Sequence, residues 1–160
     1  MWVRRILLTA VALVALARNA DADLIGYWTF DEGVGTVAKD KSGNGHDGQL
    51  VDGPKWTKGL MGNALELDGV KAKVEVPYWS GLTPRQGATI TAWVFPKDTG
   101  RSCLVGQFEG YGMALMTDLK LKSVVWGGDW VLDVGIPQAE WSHIAMTWDV
   151  ANAQRLVFLN

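Results

Sequence analysis

Alternation of apolar and polar residues, cut at short intervals by turn signals, is the feature that most narrows what this chain can fold into. Leu24, Gly26, Trp28 and Phe30 alternate with Ile25, Tyr27 and Thr29 before the chain reaches Asp31-Glu32-Gly33. A period of two sends successive side chains to opposite faces, so such a run fits a strand with one face buried. The same pattern predicts strands at 24–30, 64–67, 73–76, 89–95, 103–108, 111–116, 119–126, 131–134, 141–148 and 155–159. Most connections are short and contain Gly, Asp, Asn or Pro. Apolar residues at the helical spacing of 3.6 are hard to find after residue 22. Short strands in such numbers predict an all-β chain, a two-sheet antiparallel β-sandwich of the jelly-roll kind, and exclude a doubly wound parallel sheet. Within 141–149, Ile144, Met146 and Trp148 fall on one side and His143, Ala145 and Thr147 on the other. Nine tryptophans make the expected core heavily aromatic, with Trp28, Trp93 and Trp148 assigned to it from their places in strand patterns. Residues 155–159 alternate cleanly, yet Asn160 falls where a hairpin turn is expected, so closing strands beyond it are expected for a complete jelly roll.

The first 22 residues follow a different rule. Arg4 and Arg5 precede an uncharged, largely apolar run at 6–16, followed by small residues up to Ala22. This is the pattern of a secretory signal peptide, and the run is too short for the roughly 20 residues that span a bilayer. The expectation is a leader at 1–22 and one domain at 23–160, secreted, periplasmic or at the cell surface, with no membrane span in the mature chain. Three of the 15 basic and one of the 17 acidic side chains would leave with the leader, for a formal charge of −4. Such a balance argues against a nucleic-acid partner. Cys103 is the only cysteine, which excludes an internal disulfide and a four-cysteine zinc site. No P-loop or dinucleotide-binding glycine turn follows a strand-like run.

Three groups of residues carry chemistry worth testing. Glu66-Leu67-Asp68 begins like a same-face carboxylate pair, but Gly69 turns the chain and Glu75 lies beyond that turn. Retaining glycosidases need two carboxyls about 5 Å apart, so catalysis is not expected. Ser142 and His143 are adjacent and point to opposite faces, which rules out a nucleophile and base pair. Asp40, Ser42 and Asn44 place oxygen side chains at alternate positions before Gly45, with Asp47 close behind. They read either as the opening half of a calcium loop or as a polar turn shaped by Gly43 and Gly45. Finally, Trp126 and Trp130 flank Gly127, Gly128 and Asp129. Sugars lay their apolar faces on aromatic rings while acids and amides fix their hydroxyls, so Trp126, Asp129 and Trp130 are the candidate ligand-binding residues.

Seven stretches occur in an order that resembles bacterial laminin-G-like, concanavalin A-like jelly-roll domains. They are L-I-G-Y-W-T-F-D from Leu24, E-G-V-G-T from Glu32, D-K-S-G-N-G-H-D-G from Asp40, G-N-A-L-E-L-D-G from Gly62, V-E-V-P from Val74, T-I-T-A-W-V from Thr89 and W-S-H-I-A-M-T-W from Trp141. The resemblance implies two curved antiparallel sheets in an exported accessory module, often calcium-bound and often binding carbohydrate or protein. Under it, Asp40, Ser42, Asn44 and Asp47 are expected to hold calcium, and chelation is expected to lower the melting temperature. The expected function is non-catalytic recognition of a glycan, the alternative being a protein-adhesion or structural accessory domain of a larger exported protein or glycan-active enzyme.

Overall fold

The computed structural model describes residues 23–82, 86–106, 110–125 and 128–160. Residues 1–22, where the leader is expected, lie outside them. Twelve strands run through the described residues, and every pairing between them is antiparallel. No helix among the described residues is long and apolar enough to cross a membrane.

Two sheets build the sandwich. The back sheet has the order β10–β9–β8–β7, from β7 (Ser102–Gly106), β8 (Tyr111–Leu115), β9 (Lys120–Val125) and β10 (Gly128–Gly135). The front sheet has the order β12–β11–β6, from β6 (Gly87–Val94), β11 (Ser142–Asp149) and β12 (Gln154–Leu159). Along β11 buried and half-buried residues alternate, so Ile144, Met146 and Trp148 face the back sheet as the period-two pattern predicts. Met113, Leu115 and Leu121 meet them from β8 and β9. Each such side chain contributes roughly 1.5–3 kcal/mol by leaving water. Every member of this apolar cluster, and every half-buried residue packed on it, lies at or beyond Ala88.

Residues before the front sheet form two smaller sheets. One has the order β1–β2–β5, from β1 (Val37–Ala38), β2 (Gly48–Val51) and β5 (Lys73–Glu75); the other pairs β3 (Lys55–Lys58) with β4 (Asn63–Glu66). The turn between β3 and β4 needs its glycine. Gly62 has φ 69°, and Asp31 presses where a Cβ would stand while its Oδ1 accepts the Asn63 N–H at 3.0 Å.

The predicted first strand at 24–30 is not one. Only Trp28 pairs across, in a single bridge to Asp40, and Phe30 turns the backbone with φ 57°. The alternation is present, but a polar loop provides the backbone's partners in place of a neighbouring strand. The Tyr27 N–H donates to Asp40 Oδ1 at 3.0 Å, and Asn44 Nδ2 donates to the carbonyls of Leu24 at 2.8 Å and Ile25 at 3.1 Å. The short strands β1, β2 and β3 were not expected from the sequence.

Candidate functional site

The outward face of the front sheet gathers aromatic, hydroxyl and small side chains, with no Asp, Glu, Lys or Arg in its three central rows. Because Ile90, Ala92 and Val94 pack inward on β6, Thr89, Thr91 and Trp93 stand on the other side. The register sets three rows across the sheet. Trp93 lies opposite His143; Thr91, Ala145 and Phe158 form the next row; Thr89, Thr147 and Leu156 form the third. Trp93 is 50% exposed, Phe158 54% and Leu156 49%. Trp93 therefore does not belong to the core, whereas Trp148, expected there on the same ground, is 4% exposed. The difference is phase: Trp93 shares its face with two threonines, Trp148 with Ile144 and Met146. The Trp93 and His143 rings lie 5.1 Å apart, inclined at 50°. Asn160 steadies this end of the face, its Oδ1 accepting the His143 N–H at 2.9 Å and its own N–H donating to the His143 carbonyl at 3.1 Å.

The hairpin expected to bind ligand is organised differently. Trp126 and the side chain of Asp129 lie outside the described residues. Asp129 contributes backbone to β10, opposite Val124, and Trp130 lies opposite Ser123. Ser123 is buried, and cross-strand partners share a face, so Trp130 belongs to the inner side of the back sheet at its edge strand, 41% exposed. Arg155 reaches over from β12, its Nη1 donating to the Gly128 carbonyl at 3.3 Å.

The loop at 40–47 does draw its four expected residues together, as a hydrogen-bonded latch. Asp40 Oδ1 accepts the N–H groups of Tyr27 at 3.0 Å and Ser42 at 2.9 Å; Oδ2 accepts the Ser42 hydroxyl at 2.8 Å and the His46 N–H at 3.0 Å. Those four donors occupy the four lone-pair directions of a carboxylate. Partial burial would raise the Asp40 pKa, but the Ser42 hydroxyl and the Tyr27, Ser42 and His46 amides outweigh it and hold the group far below the usual carboxylate range. Asp47 Oδ2 pairs with Lys39 Nζ at 2.6 Å, and its Oδ1 accepts the Asp40 N–H at 2.9 Å. Among the described residues no three His, Cys, Asp or Glu side chains are grouped so as to hold a metal. Calcium takes six to eight oxygens from carboxylates, carbonyls and water, and at this loop it would have to displace the protein donors that already engage Asp40 and Asp47. Adding EDTA at neutral pH is accordingly expected to leave the melting temperature unchanged; a fall of several degrees in a thermal scan would show an ion bound.

The outward face was missed in the sequence because each of its residues is unremarkable alone. The available signal was the phase of β6: a tryptophan in step with Thr89 and Thr91 and out of step with Ile90, Ala92 and Val94. Comparison with known proteins gives one match: a family model described as the concanavalin A-like lectin/glucanases superfamily covers residues 68–160, more than half of the chain and all of both sheets of the sandwich. No curated protein and no solved structure matches the chain.

Proposed function

The chain belongs to the laminin-G-like family of the concanavalin A-like lectin/glucanases superfamily, and from that premise we propose that it is an exported, non-catalytic recognition module that binds carbohydrate on the outward face of its front sheet. The observation that carries this reading is Trp93: a half-exposed indole on a rigid strand, beside His143 and in line with Thr91. An aromatic face in water costs solvation free energy, which a sugar's C–H face recovers by stacking, while hydroxyls and an imidazole supply directional hydrogen bonds. Export rests on the leader pattern at 1–22.

The surroundings of Glu66, Asp68 and Glu75, the stretch nearest to a glycosidase carboxylate pair, favour a non-catalytic reading of this module. Glu66 on β4 pairs with Lys97 at 2.6 Å, and the ammonium keeps its carboxyl below the ordinary range. Asp68 Oδ1 accepts the N–H groups of Val70, Lys71 and Ala72 within 2.9 Å, and these lower its pKa too. Glu75, on β5 in another sheet, pairs with Lys73 at 2.6 Å. A glycosidase acid needs the opposite environment, one that raises its pKa and keeps it protonated.

The test is a glycan array probed with the wild-type chain, Trp93→Ala and Trp130→Ala. Trp93→Ala is expected to weaken retention about thirtyfold, the loss typical of a buried aromatic anchor, with little change in melting temperature. Trp130→Ala is expected to retain binding. Equal retention by Trp93→Ala and wild type would discard the face as the site; loss in Trp130→Ala alone would return it to the hairpin.

A further inference from the structure

We infer that Asn44 is a self-modifying residue: its side-chain amide closes on the backbone of Gly45, loses ammonia and becomes a carboxylate, which frees Leu24 and Ile25 from the loop that holds them. Asn44 alone among the asparagines precedes a glycine; Asn19, Asn63 and Asn152 precede alanine. Both Asn44 and Gly45 are exposed. Glycine brings no Cβ to crowd its nitrogen, and no atom beyond its chain neighbours comes within 4 Å of where one would stand. The amides on either side are engaged. The Asn44 N–H donates to Ser42 Oγ at 3.3 Å and the His46 N–H to Asp40 Oδ2 at 3.0 Å. Among the described residues no group accepts the Gly45 N–H. The backbone nitrogen that must lose its proton is therefore the one open to water.

The reaction needs only water and mild base. The Gly45 nitrogen gives its proton to hydroxide and attacks Cγ of Asn44; the Cγ–Nδ2 bond breaks, and Nδ2 leaves as ammonia with a proton taken from water. The product is a cyclic imide. Water then adds to either imide carbonyl and opens the ring, giving aspartate where the original backbone bond survives and isoaspartate where the chain now runs through Cγ. Nothing is oxidised or reduced.

The leaving nitrogen is also the tether. Nδ2 donates to the Leu24 carbonyl at 2.8 Å and the Ile25 carbonyl at 3.1 Å, and among the described residues no other hydrogen bond reaches Leu24 or Ile25. These bonds gate the attack, since Cγ swings toward Gly45 only when they open. An opening that ends in loss of ammonia cannot close again. A carboxylate only accepts, so afterwards its charge would face two carbonyl oxygens with no donor between them. The release stops at Tyr27, whose N–H stays on Asp40 Oδ1, and at Trp28, whose Nε1 donates to the His46 carbonyl at 2.9 Å. What comes loose is the stretch where the mature chain is expected to begin.

The experiment ages the full chain in mildly alkaline buffer, beside Asn44→Gln and a free peptide of residues 42–47, and follows all three by mass mapping. A gain of about 1 Da confined to the fragment bearing Asn44 is expected, as aspartate and isoaspartate together, with Asn63, Asn152 and the Asn44→Gln chain unchanged. An Asn44 that stays intact in the chain after the free peptide has fully converted would overturn the site. The aged form is then separated by its added negative charge, and its backbone order parameters are compared by NMR with those of wild type and Asn44→Asp. Those of Leu24 and Ile25 are expected to fall from about 0.85 to below about 0.6 in both altered forms, while Ser42 and His46 stay near 0.85. Order parameters at Leu24 and Ile25 that do not respond to conversion would overturn the release.

Discussion

Leu121→Ala and Ile144→Ala are each expected to lower the unfolding free energy of the sandwich by about 3–4 kcal/mol. Leu121 is 1% exposed and Ile144 is fully buried, one in each sheet. Both belong to the cluster that joins the sheets. Truncation removes the transfer free energy of the lost methyl and methylene groups and leaves a void between strands held by ladders on both sides. Central strands cannot close in on such a void, which places the cost toward the upper part of the usual range. A domain of this size has about 5–15 kcal/mol of stability, so either change brings it close to its unfolding threshold. Urea titration should show the midpoint falling with the slope unchanged. The outward Thr91→Ala and Thr147→Ala, on neighbouring strands of the front sheet, should move the midpoint by no more than about 0.5 kcal/mol in equivalent terms. A midpoint that responds equally to inward and outward truncations would contradict the two-layer arrangement.

Asp40→Ala is expected to cost the region around 24–47 about 2–3 kcal/mol, since four donors lose a charged acceptor together. The readout is local. Amide hydrogens of Tyr27, Ser42 and His46 donate to Asp40, and their exchange protection should fall by about one to two orders of magnitude. The pH dependence has a definite sign. The native pKa of Asp40 lies below its value of 3.8 in the unfolded chain. Its contribution is therefore complete above that value and shrinks as acid carries the pH down through the native one. Protection of the three amides should accordingly be flat through neutrality and decline below about pH 4. Asp47, Glu66, Asp133 and Asp149 are also lowered by their partners and titrate in the same direction. Asp40→Asn separates them: it should remove the acid-dependent part at Tyr27, Ser42 and His46 and leave the remainder. Acid sensitivity at those amides that persists in Asp40→Asn would assign it to another carboxylate.

Much of the sandwich could be read from the chain because its strands are long enough to repeat their pattern. β11 has eight residues, and its inward set of Ile144, Met146 and Trp148 is found from alternation alone. Short strands offer no such repetition. β3 reads Lys-Trp-Thr-Lys, a single large apolar residue between charges, and β1 has only two residues. The error at 24–30 has another origin. Alternation reports that side chains face two environments; it does not say whether the backbone between them pairs with a strand or with Asp40 and Asn44. The outward face of the front sheet lay further out of reach, because it is a product of register. Nothing local to Trp93 indicates that His143 will lie opposite it, fifty positions along the chain, or that Phe158 will rise beyond Ala145.

The position of the apolar cluster, wholly at or beyond Ala88, divides the molecule's vulnerabilities. The apolar cluster holds the sandwich, whereas the loop at 24–47 depends on donors to Asp40, so each should come undone under its own stress. Acid below about pH 4 should loosen the segment at 24–47 while the sandwich around the apolar cluster remains assembled. A cavity in the interior should do the reverse. A domain assembled in this way can let its leading segment be remodelled, in sequence or in length, without disturbing the sandwich behind it.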